Sequence, residues 1–103
     1  MVLYVTKYNF HPDKFEAFEA FYKAALPQML AIPGLVEVRS YVAVSGSWQI
    51  VQTLEFTDMT ACANLLSSET YIKMNFDLHS VATDINHEIW GPSPSMPTPL
   101  RPG

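Results

Sequence analysis

Leu35–Phe56 reads LVEVRSYVAVSGSWQIVQTLEF, and its reading decides the fold. From Leu35 to Val44 the residues alternate. Val36, Val38, Val42 and Val44 share one side with Ser40, opposite Glu37, Arg39 and Tyr41. Alternation with a period of two is the mark of a strand covered on one face. Ser45-Gly46-Ser47 is a turn signal, and Trp48 to Phe56 returns as a second alternating run. In that run Trp48, Ile50, Leu54 and Phe56 share a face with Gln52, while Gln49, Val51, Thr53 and Glu55 take the other. The segment is therefore a β-hairpin.

Outward from the hairpin, each flank carries one strand and one helical region. On the N-terminal side, Val2 to Asn9 is rich in β-branched and aromatic residues. Leu3 and Val5 point to one face, and Tyr4, Thr6 and Tyr8 to the other. His11-Pro12-Asp13 opens a helix, with Pro12 suited to its first turn. Phe15, Phe18, Tyr22, Ala25, Leu26 and Met29 form one stripe. Pro27 should kink this helix or start a short second one, and Ile32-Pro33-Gly34 ends it. On the C-terminal side Asp58 is an N-cap, and Ser67-Ser68-Glu69 marks a break and restart. Tyr71, Asn75, Leu78 and Ala82 then fall on one line, and Ile85 to Trp90 alternates as a last strand.

The order is β-α-β-β-α-β, an α+β ferredoxin-like arrangement with both helices on one face of a four-stranded antiparallel sheet. The domain spans 1–91. Residues 92–103 follow as an extended Pro-rich tail, with five of the chain's eight prolines beyond Gly91. Two outcomes stand open for the tail: a clasp across a partner subunit, or a disordered end.

Composition narrows the function classes. The chain has 103 residues, 49% hydrophobic and only 16% charged, which is low for a soluble domain of usual charge near 25%. So few charges beside Val/Tyr-rich strands predict that the bare sheet face is covered, giving a homodimer through sheet faces. Six Lys/Arg against ten Asp/Glu, without a basic run, argue against nucleic acid. No apolar stretch suits a membrane span, and the first residues do not read as a secretory signal. With a single cysteine, Cys62, these features lead to the expectation of a cytoplasmic protein with a reduced thiol.

Polar residues on apolar stripes are the candidates for chemistry. Asn75, Gln52 and Tyr22 each occupy such a position, and an unpaired buried amide costs roughly 1–3 kcal/mol. Either they bond to one another and to backbone, or they line a pocket between helices and sheet for a small apolar or aromatic ligand. His79, one turn beyond Asn75, is a candidate general base or simply a satisfied flanking residue. His87 is expected to be structural. The scattered histidines, and the lack of HxH, HExxH, CxxC and Gly-rich loops, lead to an expectation of no metal and no cofactor.

The strand-helix opening, the helix end at Ile32-Pro33-Gly34-Leu35, the run from Trp48 to Phe56 into Asp58, and the SSETY segment Ser67–Tyr71 together resemble the dimeric α+β barrel superfamily. The similarity is greatest to its antibiotic biosynthesis monooxygenase branch, over residues 2–90. Members of that branch that form quinones without a cofactor place an amide and a tryptophan where this chain has Gln52 and Phe56, so the amide is kept and the indole is not. Haem-degrading members carry a histidine near the position of Asn75 and an asparagine on the first strand, for which Asn9 is an imperfect match.

The resemblance implies a cofactor-independent monooxygenase acting on a small aromatic or polyketide-like substrate. Asn75 and Gln52 would stabilise its anion and His79 would accept the proton. Tyr22, Trp48, Phe56, Tyr71 and Leu78 would line the pocket. The alternatives are a non-catalytic dimeric ligand-binding or stress-associated barrel, and a lactone or ring isomerase that needs no oxygen.

Overall fold

A computed structural model describes residues Met1–Gly103. The strands are β1 (Val2–Phe10), β2 (Leu35–Val42), β3 (Ile50–Phe56) and β4 (Ala82–Trp90); the helices are α1 (Phe15–Leu30), α2 (Met59–Leu66) and α3 (Glu69–His79). The sheet order is β2-β3-β1-β4 with every pair antiparallel, the ferredoxin-like arrangement expected. The second helical region is two helices, divided where the serines stand. Ser67 Oγ and Ser68 Oγ both donate back to α2 carbonyls, and Ser68 Oγ then accepts from Tyr71 N at 3.1 Å as the N-cap of α3. Asp58 caps α2 by accepting from Ala61 N at 2.9 Å. Hydroxyl and carboxylate oxygens thus satisfy helix-start donors that no backbone carbonyl can reach.

Several boundaries differ from the sequence expectation. Pro12 lies outside α1, because His11–Lys14 close a turn (Lys14 N to His11 O, 3.0 Å) and the helix starts at Phe15. Pro27 neither ends nor divides that helix, which runs through it to Leu30. β2 and β3 stop pairing at Val42–Ile50, so Val44 and Trp48 lie beyond the strands. Val44 is fully exposed. Ala82, expected on the helical line, is instead the first residue of β4.

The core lies between helices and sheet in two adjoining groups. One joins Tyr4, Leu54 and Phe56 from the strands to Met29, Cys62, Leu65 and Met74 from the helices. The other joins Tyr8 and Ile50 to Phe18, Leu78 and Val81, and Phe21 packs against both. Gly34 sets the loop into β2 close to α2. Its φ is +79°, and a Cβ there would lie 2.5 Å from the Ala61 Cβ. The opposite sheet face carries no helix. Tyr41 and Trp90 are 49% and 44% exposed, and a groove of about 480 Å³ runs between Leu3, Tyr41, Val51 and Trp90. Lys7 Nζ sits 5.3 Å from the ring centroids of both Trp48 and Trp90 and 3.4 Å from Glu88. Beyond Trp90 the tail is exposed throughout, and its hydrogen bonds, such as Met96 N to Ser93 O at 3.0 Å, are its own.

Candidate active site

On the helical side of the sheet a small cavity of about 50 Å³ is enclosed by β1, β3, β4, α1 and α3. Its polar lining is Tyr4, Thr6, Gln52, Tyr71, Asn75 and His87. Strand periodicity explains much of this. Tyr4 and Thr6 point to the same face of β1, and the register sets Thr6 opposite Gln52 on one side and His87 on the other. From above, α3 lowers Tyr71, Asn75 and Leu78, spaced four and three residues apart, onto that row.

His87 is held at both ring nitrogens. Nε2 lies 3.0 Å from Asn75 Oδ1 and Nδ1 lies 3.2 Å from Thr6 Oγ1. An amide oxygen only accepts, so Nε2 carries the proton and Nδ1 accepts from the Thr6 hydroxyl. The ring stacks on Tyr4, with centroids 5.5 Å apart and planes at 16°. Burial of that face, and then the nearby His79, push the His87 pKa below the ordinary histidine value. The ring's one lone pair, on Nδ1, is thus taken by the Thr6 hydroxyl, and the imidazole accepts a proton there once that hydroxyl rotates away.

The other groups supply donors. Tyr4 and Tyr71 share a hydrogen bond of 2.5 Å between their hydroxyls. Burial, and next the bond to Tyr71, raise the Tyr4 pKa far above the phenol range, so it stays protonated. Gln52, 9% exposed, donates from Nε2 to the Met29 sulfur at 3.4 Å. A thioether is a weak acceptor, so this amide keeps donor capacity for something better. Protons can be taken by His87, and negative charge can be met by Gln52 and the tyrosine pair.

Gln52, Tyr71, Asn75 and Leu78 line this cavity, and the other expected site residues lie elsewhere. His79 ends α3 and is exposed. Its Nδ1–H donates to the Asn75 backbone carbonyl at 2.7 Å, so helical spacing placed it outside the pocket. Trp48 leaves the ladder before β3 begins, and its ring turns to the far sheet face over Lys7, with Nε1 donating to Asp84 O at 2.8 Å. Phe56 is completely buried in the core beside Cys62, with no side free for a ligand. Tyr22 lines a different recess, described below. Asn9 is spent on structure: its amide accepts from Gln49 N at 2.7 Å and donates to Asp84 at 3.0 Å. The groups missed from sequence are His87, Thr6 and Tyr4. Their signal was the alternation Ile85-His87-Ile89, which aims His87 at the helices once β4 pairs with β1.

No protein-family model matches the chain, and no curated protein does so. Solved structures do match. SnoaB, a cofactor-independent oxygenase from Streptomyces nogalater, is similar with a TM-score of 0.74 at 18% identity, covering 94% of this chain and 97% of that one. A dabb family protein with a ferredoxin-like fold from Mesorhizobium loti gives 0.77 at 14% identity, covering 89% and 96%. A dimeric protein of unknown function and ferredoxin-like fold from Bacteroides fragilis gives 0.67 at 11% identity, covering 86% and 93%. The chain has the ferredoxin-like α+β fold of these structures. On a shared fold the reaction is set by the side chains it carries and not by the fold itself. No helix of the chain is long and apolar enough to cross a membrane.

Proposed function

We propose that the protein is a cofactor-independent oxygenase acting on a small aromatic or polyketide-like substrate with an acidic C–H or phenolic O–H. The observation that carries this reading is His87, kept neutral and held between Thr6 and Asn75 at the edge of an apolar cavity. The likeness in fold to SnoaB adds support. The cavity is too small for an aromatic ring system, since an apolar cavity of about 150 Å³ is needed for benzene. Its 50 Å³ suits dioxygen or a water. The substrate therefore lies across the mouth, against His87, Asn75 and Tyr71.

The Thr6 hydroxyl turns away from His87 Nδ1, which takes the proton; the resulting enolate or phenolate is met by the Tyr71 hydroxyl, while Gln52 faces the dioxygen in the cavity. The anion passes one electron to dioxygen, the radical pair joins as a peroxide, and the peroxide loses water to leave a carbonyl. One methylene and one dioxygen give one carbonyl and one water. We further propose that two copies associate through the open sheet face, where Tyr41 and Trp90 are exposed.

Oxygen uptake with anthrone tests the oxygenase reading. His87→Gln should lower turnover by about 10²–10⁴-fold, the usual worth of a general base. No uptake by the native protein, or unchanged turnover in His87→Gln, rejects it. The small volume of the cavity favours a second reading, a non-catalytic ligand-binding dimer, which predicts thermal stabilisation by aromatic compounds without product.

A further inference from the structure

A second recess opens on the helical side of the sheet, between the first half of α1 and the ends of β1, β2 and β3. It measures about 300 Å³, and its walls are Tyr8, Phe10, Phe15, Phe18, Tyr22 and Ile50. Five of these six are aromatic. Tyr8 and Ile50 stand two residues along from Thr6 and Gln52 on the same faces of β1 and β3, so the recess adjoins the inner cavity at a step of about 7 Å. They share no lining residue.

The rings hold one another in place without an occupant. Phe10 meets Phe18 edge-on at 4.8 Å and Phe15 at 5.5 Å, and Phe18 packs on Tyr8 at 5.7 Å. These are the distances aromatic pairs prefer, so the walls are preorganised. Phe15 is nevertheless 53% exposed, which leaves apolar ring surface in water at the mouth. Volume selects the ligand: the recess is about twice the size of an apolar cavity that takes benzene, giving room for two or three fused rings. Charge selects it further. Glu19 and Lys23 stand together at the rim, one turn apart and opposite in sign, so the mouth favours neither an anion nor a cation.

We infer that this recess is a separate binding site for a neutral, planar aromatic molecule of two or three fused rings. It takes no part in the proton transfer assigned to His87, and it stands whether or not the protein oxidises anything.

The test is calorimetric titration of the full-length protein with 2-naphthol under argon, with the aromatic resonances followed by NMR. Expected are saturable binding, one molecule per chain, and shifts centred on Phe15, Phe18 and Tyr22. Ser40→Phe, which fills the recess from β2, should weaken binding by about tenfold or more, whereas His87→Gln should leave it within about twofold. Tyr22→Leu, which removes one wall, should also weaken it, in case the larger side chain disturbs β2. No saturable binding, shifts centred on His87 and Tyr71, or equal affinity in both recess variants would overturn the inference. Binding here with no oxidation of anthrone would uphold the recess and reject the oxygenase.

Discussion

His87 and His79 lie on either side of Asn75, one bonded to its side chain and the other to its backbone carbonyl. Only the first lines the cavity. Because the His87 pKa is lowered in the fold, the unfolded chain binds more protons in the window between that lowered value and the ordinary 6.5. Stability therefore rises with pH through that window, is lost as pH drops through it, and levels off below the lowered value. Thermal melts from pH 7 down to pH 5 should show the decline, and His87→Gln should flatten it. Thr6 acts through His87. Thr6→Val keeps the shape but removes the hydroxyl that bonds Nδ1, so turnover should fall by about tenfold with little change in KM, and Thr6→Ser should restore it. Sequence made Asn75 and Gln52 visible because each interrupts an apolar stripe. It hid His87, because the bond to Thr6 joins residues 81 positions apart and exists only once β4 pairs with β1. Helical arithmetic favoured His79 for its four-residue step from Asn75, but at a helix end that step returns the ring to the backbone.

Among the elements, the hairpin was legible from alternation alone, and the division between α2 and α3 from two serines. The strand ends were not, since the ladder between β2 and β3 stops where cross-strand pairing fails and not where apolar residues do. Trp48 was misplaced for that reason. Gly34 is the most exacting position between elements. Gly34→Ala would force a side chain into positive φ and into contact with Ala61, so it should destabilise the fold by more than the roughly 1 kcal/mol of an ordinary Gly/Ala difference. A lowering of the melting temperature by more than about 4–8 °C is expected. Ser68→Ala removes the α3 cap and should cost about 1 kcal/mol, read as a smaller drop in the same melt. Neither change touches the cavity lining, so both should leave KM unchanged.

For the whole molecule, a low charge count predicted a covered sheet face, and the structure leaves Tyr41 and Trp90 there in the open. Light scattering should give twice the 11.6 kDa chain mass. Tyr41→Lys, at a half-exposed position that the fold itself does not need, should return the single-chain mass. Deleting residues 92–103 should lower the melting temperature of the dimer if the tail rests on the second copy, and leave it unaltered if the tail is loose. The groups of this chain that line the inner cavity face away from the open sheet face proposed to join two copies. Specific activity should consequently be indifferent to dilution, even where the pair has come apart. Assembly and chemistry are thereby free to drift separately under selection, each altered without toll on the other.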